Sequence, residues 1–345
     1  MLREMLEAMR QGQRLCARGE TSQVEAVQAE VQYQSAKKIA DQYISVHSSD
    51  GEGLLPCHAS RSLDTLGAGI ERLLVVVHGA LRDSDKYFEH AYAAAQGMRS
   101  STLIVAPQFL ADVDLDVEAA APDGTLYWEV EGWKGGERAL GPAPISSFTA
   151  MDCLLQQLTA PERVPGGKQP AVVIIGNSAG GQYVNRYAAV GHGPDALAKR
   201  GISVRFIIAN PSTYLYFNEE RPVAVAVAVA GGTGINRWRY GFEAAPDYVD
   251  GTPQQSLKRY LDRDVTIVLG AEDRDSAALL LEVSAAAMAQ GANRHERGIN
   301  YHAHIHRLAT RAGLVASHKV IQLDGVGHAA NDVLAAQKTR EIMFG

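Results

Sequence analysis

The chain is poor in several things, and each absence narrows what it can be. Among 345 residues there are three cysteines, Cys16, Cys57 and Cys153. None falls in a C-x-x-C pair, so neither a zinc knuckle nor a disulfide framework is expected, and buried free thiols are the simplest reading. Positive charge is not in excess: 33 Lys and Arg against 39 Asp and Glu give a formal net charge of −6. That leaves no basic face to neutralise a phosphate backbone, and nucleic acid is not an expected partner. Nor is there an apolar run of the roughly 20 residues a membrane span needs. The opening MLREMLEAMRQGQRLCARGE mixes charges with apolar residues at helical spacing instead of building the apolar segment of an export signal. A cytoplasmic location is the expectation. No internal repeat and no low-complexity linker interrupts the chain.

What is present is ordinary globular composition, with 46% hydrophobic and 21% charged residues. Short apolar runs rich in β-branched residues recur at 72–79 (RLLVVVHG), 101–107, 171–177, 204–210, 265–270 and 318–325. Runs this short and this unbroken suit strands buried on both faces. Helical patterns alternate with them at 84–98, 146–158, 179–190, 276–291 and 329–343. The alternation predicts an α/β fold with a mostly parallel central sheet and helices on both faces. Residues 1–71 read as an N-terminal extension with edge strands, QAEVQYQ alternating like one of them. Residues 72–345 read as the core. Two stretches break its rhythm: a Gly-, Pro- and aromatic-rich loop at 108–145, and a segment at about 211–262 too long for a plain connection, which reads as a lid or cap.

The chemistry concentrates where one apolar run ends, at Gly176-Asn177-Ser178-Ala179-Gly180. This fits G-x-S-x-G in the strand-to-helix setting that a nucleophile elbow requires. The glycine spacing does not fit the G-x-G-x-x-G of a dinucleotide loop. A serine hydroxyl needs a histidine base, itself oriented by a carboxylate. Downstream, VTIVLGAEDRD puts Asp273 just past a late strand, and VIQLDGVGHAAND puts His328 past the last one. Asp273 is preferred to Asp275, which begins the next helical pattern and reads as its N-cap. VVVHGALRD places His78-Gly79-Ala80 after an early strand, where oxyanion donors belong. The N–H groups of Ala80 and Ala179 are the expected donors, and His78 holds the loop.

Two other groups of residues could carry chemistry. His302 and His306 would share a helix face, as metal ligands can. There is no HExxH and no carboxylate at ligand spacing, so the expectation is a solvated helical face and no metal. The aromatic residues of the two interrupting stretches, chiefly Trp128, Trp133, Tyr214 and Trp238, are candidates for a substrate pocket, although core packing explains most of them as well.

With G-N-S-A-G, H-G-A, G-A-E-D and G-V-G-H in place and in order, the chain resembles the α/β-hydrolase superfamily over residues 72–345. It is more similar to the lipase, esterase and peptidase branches, because the longer HGGG loop of some esterases is missing. The resemblance implies a cofactor-independent serine hydrolase with Ser178 as nucleophile, His328 as base and Asp273 as acid, cleaving a small-molecule ester through an acyl-enzyme. Amidase, peptidase or acyltransferase chemistry uses the same triad, and a non-catalytic binding protein can share the fold.

Overall fold

The computed structural model describes residues 34–65, 69–115, 121–163, 169–223 and 234–345. The N-terminal helical pattern, Cys16, most of QAEVQYQ and nearly all of the VAVAVAVA run at 223–230 lie outside them.

Six of the strands are the β-branched runs: β3 (Arg72–Val77), β4 (Thr102–Pro107), β7 (Ala171–Asn177), β8 (Val204–Ala209), β9 (Asp264–Gly270) and β10 (Lys319–Leu323). Two more, β1 (Gln42–Ser48) and β2 (Gly51–Ala59), form an antiparallel hairpin whose second strand pairs antiparallel with β4. The resulting eight-stranded sheet has the order β1-β2-β4-β3-β7-β8-β9-β10, and every pair from β4 to β10 is parallel. The apolar runs are unbroken because both faces are covered. In β3, Leu73, Val75 and Val77 pack into one core, while Leu74 and Val76 pack into the other.

The helices are α1 (Ser84–Ala94), α2 (Ser147–Leu158), α3 (Ala179–Val190), α4 (Gly193–Lys199), α5 (Pro253–Leu261), α6 (Ala285–Met288), α7 (Arg294–Arg311), α8 (Ala330–Ala335) and α9 (Gln337–Phe344). Caps define several starts. The Ser146 hydroxyl accepts from the Phe148 N–H at 3.1 Å and opens α2, and Thr252 and Gln255 bond reciprocally at the start of α5.

Two helical expectations fail. The pattern at 276–291 forms only α6, because Leu280 adopts φ 61° and Ser212 accepts the Glu282 N–H at 2.8 Å, pinning this segment beside the end of β8. The pattern at 329–343 divides into α8 and α9 at Ala336, whose ψ of 135° is extended. Of the thiols, Cys57 is buried but Cys153 is only half-buried. Among the described residues no helix is long and apolar enough to cross a membrane.

From β3 the chain moves outward to β4, then returns to the other side of β3 to lay down β7 and continues to β10. The connections therefore diverge between β3 and β7 at the carboxyl edge of the sheet, the place where open α/β sheets bind their ligands. The segment after β4 crosses this region. Its short strands β5 (Leu110–Ala111) and β6 (Tyr127–Trp128) pair with each other, and a 3₁₀ turn at Trp133–Gly135 packs against α3.

Candidate active site

Ser178 stands at the point of divergence, between the end of β7 and the start of α3. Its backbone has φ 60° and ψ −120°, a conformation that costs a non-glycine residue about 1–3 kcal/mol. The surroundings hold it there. The Ser178 N–H donates to the Ala209 carbonyl at 3.0 Å, and the Ser178 carbonyl accepts from the Gln182 N–H at 3.0 Å. The flanking glycines are required by contact: a Cβ on Gly176 would lie 2.2 Å from the Gly180 carbonyl oxygen, and one on Gly180 would lie 2.3 Å from that of Val77. The side chain of Ser178 is neither buried nor fully exposed.

The close approach of Gly180 to Val77 and His78 brings the α3 N-terminus against the loop that follows β3. Among the described residues neither the Ala80 nor the Ala179 N–H donates to a protein acceptor. His78 is fully buried, with Nδ1 donating to the Gly79 carbonyl at 2.8 Å and Nε2 accepting from the Phe109 N–H at 3.0 Å. Burial lowers its pKa to about 4, so it is neutral at pH 7 with both nitrogens engaged. The next turn is held by Arg82, which donates to the Ala80 carbonyl at 2.9 Å and pairs with buried Asp114 at 2.6 Å.

His328 and Asp273 meet at the ends of the neighbouring strands. His328 Nδ1 lies 2.7 Å from Asp273 Oδ2. Asp273 is buried, whereas Asp275 is exposed and accepts from the Ala277 N–H at 2.8 Å, capping a turn instead of a helix. Asn177, the residue before Ser178, donates through its side-chain Nδ2 to the His328 carbonyl at 3.1 Å, and among the described residues no hydrogen bond joins the side chains of Ser178 and His328. Asn210, at φ 42°, donates to Asn177 Oδ1 at 3.2 Å and accepts from the Gly270 N–H at 2.8 Å. One pair of asparagines thus ties together the loops after β7, β8, β9 and β10.

A buried cation lies beneath the carboxylate. Arg294, 1% exposed, places Nη1 at 3.6 Å from Asp273 Oδ1, the oxygen that does not face His328. Burial works to raise the Asp273 pKa. The hydrogen bond and charge of His328, with the charge of Arg294, outweigh it and hold the carboxyl below its ordinary range. For His328, burial first and Arg294 second lower the pKa, against the opposing pull of Asp273.

The predicted aromatic residues are distributed differently. Trp128 and Trp133 have no exposed surface: the Trp128 indole N–H donates to the Ile145 carbonyl at 3.2 Å, and Trp133 packs on His78 and Phe109. Tyr214 is also fully buried, stacked on Tyr301. Trp238 is the one of the four with exposed surface, and its indole N–H donates to the Gly135 carbonyl at 2.8 Å. The helix carrying the histidine cluster is not a solvated face either, since it buries Arg294, His295, Arg297 and His304.

Sequence reasoning did not identify Asn177, Asn210, Arg82, Asp114 or Arg294. Asn177 was visible only as the unconstrained x of G-x-S-x-G. Arg294 belonged to a stretch whose charge suggested solvent.

No protein-family model and no curated protein matches the chain. Among solved structures it is similar to LpqC, a poly(3-hydroxybutyrate) depolymerase from Bordetella parapertussis, at 22% identity and a TM-score of 0.60, over 86% of this chain and 85% of that one. It is also similar to poly(aspartic acid) hydrolase-1 from Sphingomonas sp. KT-1, at 22% identity and a TM-score of 0.61, over 89% of this chain and all of the other. At this identity the likeness is one of fold.

Proposed function

We propose that this chain, an α/β-hydrolase by its fold, is a serine hydrolase that cleaves carboxylic esters through an acyl-enzyme. The observation that carries the reading is the 2.7 Å contact between His328 and Asp273 on a loop whose backbone is hydrogen-bonded to the residue preceding Ser178. The proton on His328 Nδ1 is engaged by Asp273, which leaves Nε2 as the base. In the proposed sequence Nε2 takes the Ser178 proton as Oγ attacks the ester carbonyl. The N–H groups of Ala80 and Ala179 receive the oxyanion, and His328 returns the proton to the departing alcohol. Water then repeats the steps in reverse order and releases the acid. Residues 211–262 are proposed to cap the site, and Trp238, the one of the four aromatic candidates with exposed surface, is proposed to touch substrate. The names of the two neighbours, a depolymerase and a hydrolase, accord with hydrolysis.

The test is labelling by a fluorophosphonate. The folded protein is expected to lose activity toward p-nitrophenyl esters in step with modification of one serine, identified as Ser178 by peptide mapping. Absence of labelling on folded protein that still hydrolyses the ester would reject the assignment. Matched esters and anilides of the same acyl groups, assayed side by side, test the preference for esters.

The charges around the base add a pH prediction. A base is active when neutral, and the His328 pKa lies below its ordinary value, so kcat/KM is expected to persist into mildly acidic buffer. Arg294→Met removes a positive charge that disfavours the imidazolium. The acid limb of kcat/KM should then move to higher pH, and the variant should lose several-fold more activity at pH 5.5 than at pH 8. A uniform loss at both values would leave Arg294 with packing alone.

A further inference from the structure

At the opposite edge of the sheet, α7 meets the start of β10. His302 and His306, both half-buried, turn their Nε2 atoms toward each other at 3.0 Å. Each also approaches the backbone carbonyl oxygen of His318, at 3.1 Å from His302 and 3.2 Å from His306. Three polar atoms thus form a nearly equilateral triangle.

Hydrogen bonding does not account for all three sides. A neutral imidazole nitrogen is either a donor or an acceptor, and a carbonyl oxygen only accepts. If both Nε2 atoms carry protons, each donates to the carbonyl, but two donors then face each other at 3.0 Å. If one carries the proton, the other presents a lone pair to the carbonyl oxygen. If neither does, all three contacts join acceptors. Every assignment of neutral tautomers leaves at least one side repulsive.

A cation bound by all three lone pairs removes the conflict. With bonds of about 2.1 Å, edges of this length correspond to angles of roughly 90–100° at the ion, the geometry of one face of an octahedron. Histidines four residues apart on one helix supply two of the corners. We propose that Nε2 of His302, Nε2 of His306 and the His318 carbonyl oxygen form a binding site for a divalent ion with affinity for imidazole, Zn²⁺, Ni²⁺ or Cu²⁺, with water completing its coordination. Among the described residues no set of three His, Cys, Asp or Glu side chains converges on a metal position. The third donor here is backbone, which a search for ligand side chains in the sequence misses. The ion fastens α7 to the outermost strand of the sheet. The site stands one strand length, about 17 Å, from the loop that carries His328. It does not depend on the hydrolase reading.

The experiment is calorimetric titration of the full chain with ZnCl₂ and, separately, NiCl₂. The same titration is run on His302→Gln and His306→Gln, and the Cu²⁺ complex of the unmodified chain is examined by electron paramagnetic resonance. One equivalent is expected to bind, with affinity lowered about tenfold or more in each variant, and the copper spectrum should show coupling to two imidazole nitrogens. Thermal midpoints without metal should match across the three proteins, and Ni²⁺ should raise only that of the unmodified chain. Absence of stoichiometric binding overturns the proposal. So does binding undiminished in both variants, which would put the ion elsewhere among the 11 histidines. If a variant fails to fold, a copper spectrum lacking two imidazole nitrogens is sufficient to overturn it.

Discussion

Replacing Ser178 by alanine is expected to lower kcat/KM for a p-nitrophenyl ester by about 10⁴- to 10⁶-fold, with the folded structure retained. The loss is large because, in the proposed mechanism, the hydroxyl is the only atom that forms the covalent intermediate. The residual rate is expected from the proposed oxyanion donors, the Ala80 and Ala179 N–H groups, and from substrate binding, neither of which the substitution touches. His328→Ala should fall to a similar level, and the double variant should be little worse than either single one, since nucleophile and base act as one unit. Asp273→Asn should lose about 10⁴-fold by favouring the wrong tautomer of His328. Steady-state kinetics on purified variants, with the pre-steady-state burst as a count of acylated sites, checks all four. Activity undiminished in Ser178→Ala would end the serine mechanism.

The largest stability effect is expected at Asp114, distant in sequence from the elbow. Its carboxylate takes two hydrogen bonds from Arg82, at 2.6 and 3.1 Å, and one each from the N–H groups of Ala36 at 2.6 Å and Ala111 at 2.7 Å. Arg82 and Asp114 side chains are both 0% exposed. Asp114→Ala therefore withdraws the carboxylate that faces the buried Arg82 guanidinium, together with the acceptor of two backbone donors. A loss of about 3–5 kcal/mol is expected in denaturant unfolding. Arg82→Met with Asp114→Leu replaces both buried charges of this pair by apolar side chains, and should recover much of that stability because the cost of burying the two charges goes with them. Since Arg82 also bonds to the Ala80 carbonyl, the double variant separates two roles. Regained stability with reduced kcat assigns the pair to holding the oxyanion loop. Regained stability with normal kcat assigns it to the fold alone.

Legibility followed the range of the forces involved. The β-branched runs identify the buried parallel strands because a strand covered on both faces must be apolar at every position, as Leu73 to Val77 are. G-x-S-x-G identifies the elbow because the steric demands on Gly176 and Gly180 come from backbone within a few residues or from the adjoining strand. The aromatic residues were less readable: Trp128, Trp133 and Tyr214 have the composition of a pocket wall, but their surface is consumed by packing. The helical pattern at 276–291 misled for a similar reason. Its apolar residues serve an irregular segment, with Leu281 buried and Leu280 at positive φ, and periodicity is blind to that difference.

By itself the amino-acid sequence determined the class of fold, the identity of the candidate nucleophile and the order in which acid and histidine follow it, because local sterics and hydrophobic periodicity act over short stretches of chain. Tertiary structure decided what depends on distant residues meeting. It selected Asp273 over Asp275 as the carboxylate facing His328, 55 residues away, and joined Asn177 to the His328 loop across 151 residues. It also slid Arg294 beneath the acid, and brought a backbone carbonyl to two histidines that the sequence had left on a solvated face. Hydrogen-bond geometry and burial fix those encounters, and neither can be read from residue spacing.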